Sequence, residues 1–270
     1  MTDPGRLSAA SVLERLSALA NPDDVPGLSR FFKAGPGEYG EGDTFIGVRR
    51  GPLTALAKEF LGMPVGELES LLRSEIHEAR AAALAIMSEE GRRKRTSPER
   101  RRELFELYLR RHDRINNWDL VDSAAPYVVG GYLEHRPRDI LYELARSPVL
   151  WERRTAMVAT WYFIRSGDLD DAFAMAALLL DDDHDLIHKA TGWMLRSAGQ
   201  MDRARLVAFL DTHAATMPRT ALRYAIEKFS PADRAHFLAL KPASRAGSAP
   251  PAQPRLPPRF SGGSAGRYPN

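Results

Sequence analysis

The stretch INNWDLVDSAAP, residues 115–126, sets an indole and a carboxylate four residues apart, Trp118 and Asp122. In a helix that spacing stacks the two on one face, while Asp119 points about 100° away. An acid in a first helical turn, as Asp119 would be, is accounted for by the helix dipole. Asp122 is harder to account for. It lies among Leu120, Val121, Ala124 and Ala125, where an unpaired carboxylate is strongly disfavoured, so it needs a partner or a cleft.

Arg154, in LWERRTAMVATW, is the candidate partner, and Trp193 in IHKATGWMLR supplies a second indole four residues after Lys189. Two indole faces, a carboxylate and a guanidinium suit a substrate that is already cationic and gains positive charge at a neighbouring carbon. Such chemistry calls for no metal and no cofactor. The competing reading is that Trp151 and Trp161 are core residues and that Trp118 and Trp193 join them there.

The elements that must position these groups are helices. HEARAAALAIM, PERRRELFELYLRRH, DAFAMAALLL and LIHKATGWMLRSA repeat apolar residues at three- and four-residue spacings, with turn signals such as SGD, SPE and SPA between them. No segment reads as a strand hairpin, and Asn116 or Asn117 is placed to cap the helix carrying Trp118. Polar residues recur near helix starts at Arg80, Asn117, Arg154, Lys189 and Arg223, spaced by 37, 37, 35 and 34. That period predicts an all-α superhelical solenoid of HEAT-like antiparallel helix pairs. Equivalent positions would then line one surface, four of the five cationic, forming a ladder suited to a phosphate backbone. The plainer alternative is that these cations snorkel over apolar surface.

Composition narrows the function classes. The chain has 270 residues, 44% hydrophobic and 27% charged, long enough to bury a sizeable core. No apolar run approaches the roughly 20 residues of a membrane span, and the N-terminus lacks the pattern of an export signal, so a cytoplasmic, nucleoid-associated protein is expected. With no cysteine, thiolate metal sites and cysteine nucleophiles are excluded. Residues 241–270 hold seven prolines and carry Lys241, Arg245, Arg255, Arg259 and Arg267 without an acid, a charge of +5. Residues 1–240 therefore carry −2 of the overall +3. The expected organisation is a helical-repeat domain over 1–240 followed by a disordered basic tail.

Two weaker signals remain. GRRKRTSPERRR, residues 91–102, holds seven basic residues including Arg93, and serves either as a phosphate clamp or as a solvated loop. DDDHDLIH puts His184 and His188 at metal-ligand spacing but offers no third ligand, and acids opening a helix explain it better.

The blocks INNWDLVDSAAP, LWERRTAMVATW and IHKATGWMLR, with GEYGEGDTFIGV upstream, resemble the AlkD-type DNA alkylation repair glycosylases, over about residues 30–230. The resemblance implies a site of Trp118, Asp122, Arg154 and Trp193. Asp122 would be catalytic, and the indoles and the guanidinium would hold the alkylated nucleotide and its backbone. It implies hydrolysis of the glycosidic bond of cationic alkylpurines, N3-methyladenine and N7-methylguanine, in duplex DNA, by a monomer without a deep base pocket. DNA-backbone contacts are expected from Lys189, Arg80, Arg49, Arg50 and Arg93. Thr54 stands where the family pattern has an arginine, and Arg49 or Arg50 is placed to substitute. Between Arg153 and Arg154, the repeat register selects Arg154. A reading from another class remains open: a non-catalytic helical-repeat module that binds DNA or protein.

Overall fold

The structure, a computed structural model, describes residues 7–241. The expected tail, apart from Lys241, lies outside the described residues. Several helices begin where a side chain caps them. Ser97 Oγ accepts from Arg100 N, Asp202 Oδ1 from Arg205 N and Ser230 Oγ from Asp233 N, and Pro98 and Pro231 occupy first-turn positions where no N–H is missed. In order the helices are α1 (Ala9–Leu19), α2 (Val25–Phe31), α3 (Arg50–Ala57), α4 (Val65–Leu72), α5 (His77–Arg92), α6 (Pro98–Arg110), α7 (Trp118–Ala124), α8 (Gly131–Leu133), α9 (Asp139–Ala145), α10 (Leu150–Arg165), α11 (Asp170–Leu178), α12 (Asp185–Met201), α13 (Arg203–His213), α14 (Arg219–Ala225) and α15 (Pro231–Ala239). Among the described residues no strand forms, only an isolated bridge between Thr44 and Ile76.

Helices α5, α7, α10, α12 and α14 pack each against the next in one row. A second row flanks it: α4 and α6 lie on α5, α9 and α11 on α10, and α11 and α13 on α12. This is the all-α stack of helix pairs that the repeat predicts. Because each helix of the first row is covered on several sides, α5 and α10 are apolar or buried around most of their circumference. Leu84, Met87, Leu120, Val121, Met157, Val158, Met194 and Leu195 form one continuous core at 0% exposure. Each contributes about 1.5–3 kcal/mol of transfer free energy.

Glycines set how closely the first row packs. A Cβ on Gly130 would stand 2.3 Å from the Ala159 carbonyl oxygen, and one on Gly192 would stand 2.4 Å from that of Ala221. The helix after α7 also needs a local adjustment. Pro126 cannot donate and its ring crowds the preceding turn, and the chain answers with a π-helical stretch over Ala125–Gly130 before α8.

Candidate active site

Asp122, on α7, faces Arg154, on α10. Arg154 Nε donates to Asp122 Oδ1 at 2.9 Å and Nη2 to Oδ2 at 2.8 Å, a two-pronged pair, while Nη1 donates to the Leu186 carbonyl at the start of α12. One guanidinium thus joins three successive helices of the first row. The Asp122 side chain keeps 17% of its surface exposed and that of Arg154 only 5%. Burial pushes the Asp122 carboxyl above its ordinary range and Asp119 adds to the rise, while Arg154 and Arg50 pull it down. The result is an oriented, slightly exposed acceptor locked to its positive partner. Each nitrogen of Arg154 donates once within the protein, so the guanidinium positions Asp122; any hold on a substrate's backbone falls to the second N–H of Nη1 and of Nη2.

Aromatic rings gather around the start of α7. Asn117, 0% exposed, is the cap: its Oδ1 accepts from Trp118 N and its Nδ2 donates to the Phe32 carbonyl. Trp118 is half-buried, edge-on to Phe31 at 5.5 Å and tilted against Phe32 at 5.6 Å. The Tyr39 hydroxyl lies near its indole, and burial raises the Tyr39 pKa while Trp118 works against that rise. Tyr39 packs edge-on against Trp151 at 5.7 Å and feels the charges of Lys189 and Arg154. This tyrosine, from the GEYG segment, was not singled out by sequence reasoning. The signal was its place in a glycine-rich loop: Gly40 lies so close to the Phe32 carbonyl that a Cβ would be 2.5 Å from it.

Lys189 and Trp193 sit one turn apart on α12, both half-buried. Lys189 donates to Asp185 at 2.7 Å, and that hydrogen bond holds its ammonium above the ordinary range. Trp193 packs against the core, and among the described residues no ring lies against it. Trp151 is buried as expected, but Trp161 is not a core residue: it is half-buried under Arg165 and Tyr127.

A buried ionic network lies behind α7. His77, 2% exposed, meets Asp43 through Nδ1 at 2.8 Å and Asp119 through Nε2 at 3.0 Å. Its ring lies against both Phe32 and Phe45, with centroids 4.8 Å from each, while those two phenyl rings stack on one another at 5.5 Å. Burial lowers its pKa, but the two carboxylates outweigh burial and raise it to about 9. Asp119 is therefore not a solvated first-turn acid; it faces inward to a cation. Arg80 belongs to the same network, donating to Asp43 at 2.5 Å, to Asn116 and to the carbonyls of Ser74 and Glu75. At 2% exposure it cannot reach a DNA phosphate. The ladder of cations expected along one surface is thereby corrected: Arg80 and Arg154 are buried and internally paired, and Asn117 is a cap.

The remaining expected backbone contacts lie nearer solvent. Arg49 is exposed and paired with Asp24 through two hydrogen bonds, and Arg50 opens α3 exposed. Arg93, half-buried, ends α5, and its carbonyl accepts from Arg101. The basic run 91–102 divides. Arg100 forms a buried pair with Glu90 and Arg101 binds three carbonyls, whereas Arg92, Lys94, Arg95 and Arg102 are exposed. His184 caps α12 through its ring, and among the described residues no cluster of His, Asp and Glu could hold a metal. No helix among them is long and apolar enough to cross a membrane. On the far side of Trp118, bounded by α2, α3, α5 and α7, lies a cavity of about 320 Å³ with Arg49, Arg50 and Arg92 among its lining residues.

Residues 12–229 match the family described as DNA alkylation repair enzyme. In fold, the chain is similar to a solved structure titled a predicted DNA alkylation repair enzyme from Enterococcus faecalis. The TM-score is 0.61 at 17% identity, over 78% of this chain and 97% of that one. A search of curated proteins finds no significant match.

Proposed function

Because the chain belongs to the family of DNA alkylation repair enzymes, we propose that it is a monofunctional DNA glycosylase acting as a monomer on cationic alkylpurines in duplex DNA. The observation that carries this reading is Asp122, a carboxylate oriented by Arg154, partly exposed and one helical turn from Trp118. N3-methyladenine and N7-methylguanine bear a formal positive charge, so the base leaves without a general acid. The bond from C1′ to the purine nitrogen breaks, its electron pair neutralises the base, and positive charge develops on the deoxyribose.

Asp122 stabilises that oxocarbenium-like centre and orients water toward C1′, which loses its proton to the carboxylate or to solvent. Trp118 and Trp193 pack against the cationic nucleotide. The bonds from Arg154 keep Asp122 from turning away. Lys189, held protonated by Asp185, is a poor amine nucleophile, which supports a water-based rather than an imine-forming reaction. Arg49, Arg50 and Arg93 are placed to meet phosphates, in a cytoplasmic setting with access to the nucleoid.

Release of free methylated base from duplex treated with a methylating agent tests the reading. Asp122→Asn preserves shape and one acceptor, and is expected to lose roughly 100-fold or more in rate with its fold intact. Excision by Asp122→Asn at the wild-type rate would overturn the assignment. Duplex binding without release by the wild type would instead favour the non-catalytic binding module.

A further inference from the structure

We propose that Tyr39 is a further binding residue of the site, its hydroxyl donating to a phosphate that borders the damaged nucleotide, beside the Lys189 ammonium. This rests on the glycosylase reading and names a backbone contact of that same site. Tyr39 belongs to the segment between α2 and α3, which is held in place from several directions. Gly40 N donates to the Lys33 carbonyl at 2.9 Å, Gly35 N to Glu38 and Gly37 N to Glu41. Gly37 turns the chain with a φ of 76°, a left-handed conformation that glycine adopts at no steric cost. Asn117, the cap of α7, donates to the Phe32 carbonyl at 3.1 Å, and a Cβ on Gly40 would stand 3.1 Å from that same amide nitrogen. The residue that starts the helix of Asp122 thus also fixes the loop that carries Tyr39.

The groups around the Tyr39 hydroxyl share one property. With the ring packed edge-on against Trp151, the hydroxyl lies near the Trp118 indole and in the fields of Lys189 and Arg154, and Lys189 in turn feels Tyr39. Indole, ammonium and guanidinium groups donate but do not accept, so the hydroxyl's own proton finds no acceptor among these three. Glu38, the acid near it, is engaged within its loop, accepting from Gly35 N at 3.0 Å and pairing with Lys33 at 3.5 Å. Converging donors with two positive charges suit an anion that offers several acceptor oxygens, as a phosphodiester does. Lys189 is paired with Asp185, but the two side chains are 41% and 54% exposed, so a phosphate can replace the carboxylate at little cost. Arg154 contributes through the second N–H of Nη1 and of Nη2. Tyr39 also borders an open recess with Lys33, Glu38 and His184, so a backbone can approach it from solvent. A contact of this kind holds the nucleotide by its backbone and needs no deep pocket for the base.

The test is the affinity of the full chain for a duplex holding a single tetrahydrofuran residue, an analogue of the abasic product. Tyr39→Phe keeps the ring against Trp151 and removes only the hydroxyl, so its circular dichroism spectrum should be unchanged. It should bind this duplex roughly tenfold more weakly than the wild type, the scale of one hydrogen bond to a charged group. A methylphosphonate, in which a neutral methyl group replaces a charged phosphate oxygen, is then placed in turn at the two phosphates bordering the tetrahydrofuran residue. At one of them the wild type should lose at least that factor, and its advantage over Tyr39→Phe should vanish. Wild-type loss at neither phosphate overturns the assignment, whether or not the variant folds.

Equal affinity of wild type and Tyr39→Phe for the unmodified duplex, or no wild-type binding to it, also overturns the phosphate contact. So does a tenfold gap that persists with both methylphosphonates, which is the result for a hydroxyl that only braces Trp118. Base release is read separately. A vanishing gap in a protein that releases no methylated base upholds the phosphate contact and removes the glycosylase reading, whereas release together with a persistent gap keeps the glycosylase and removes Tyr39 from its phosphate site.

Discussion

His77 packs against two phenyl rings and has a carboxylate at each ring nitrogen, surroundings that favour its imidazolium. Its folded pKa, about 9, lies above the usual 6.5. The proton-linked stability is therefore fully present below pH 6.5 and is lost as pH rises through 9. The shift corresponds to about 3 kcal/mol. Urea unfolding at pH 6.5 and pH 9.5 should show a decline of that order in the wild type and little decline in His77→Gln. An equal decline in both would mean that another group titrates. Nothing local in the sequence announces this network, because Asp43, His77 and Asp119 lie 34 and 42 residues apart and each has an adequate local explanation. Asp122 was legible for the opposite reason. A carboxylate among apolar neighbours demands a partner, and the repeat register pointed to Arg154 one unit on. The register could not say that every nitrogen of that arginine would already donate within the protein.

At the scale of elements, the sequence carried helix positions well and helix contacts less well. Caps such as Ser97, Asn117 and Ser230 and the three- and four-residue apolar spacing are local signals, and α6, α7 and α15 begin at such caps. Close approach between helices is not local. Gly192, directly before Trp193, touches α14, where an added Cβ would meet the Ala221 oxygen at 2.4 Å and the Tyr224 Cβ at 2.5 Å. Neither is the end of a flexible side chain, so α12 and α14 would have to separate. Gly192→Ala should therefore destabilise the fold by about 1–3 kcal/mol, even though alanine is intrinsically the better helix former. Thermal unfolding checks this, and an unchanged or raised midpoint would show that the row of helices yields more easily than its packing indicates. The cavity beside Trp118 was invisible for the same reason, since its walls come from α2, α3, α5, α7 and the loop that bears Phe45.

Across the whole molecule, net charge is a poor guide to where a polyanion binds. The residues through 240 carry −2, and several of their arginines are spent internally: Arg80 on Asp43, Arg100 on Glu90 and Arg154 on Asp122. Cations of this kind cannot exchange a protein carboxylate for a phosphate without leaving a buried acid unpaired. Arg50 differs. It is exposed and sits at the start of α3, on the cavity that Trp118 bounds. Replacing it by alanine should weaken duplex binding and lower the slope of log affinity against log salt by about 1, the signature of one lost phosphate contact. Arg80→Ala should act on another axis, lowering the unfolding midpoint because Asp43 loses its partner. Wherever Arg80→Ala remains folded, its salt slope should equal that of the wild type. Salt titrations of the two variants with an undamaged duplex separate surface cations from structural ones. A reduced slope in folded Arg80→Ala together with an unchanged slope in Arg50→Ala would reverse the assignment and restore the ladder of cations that the repeat spacing first suggested.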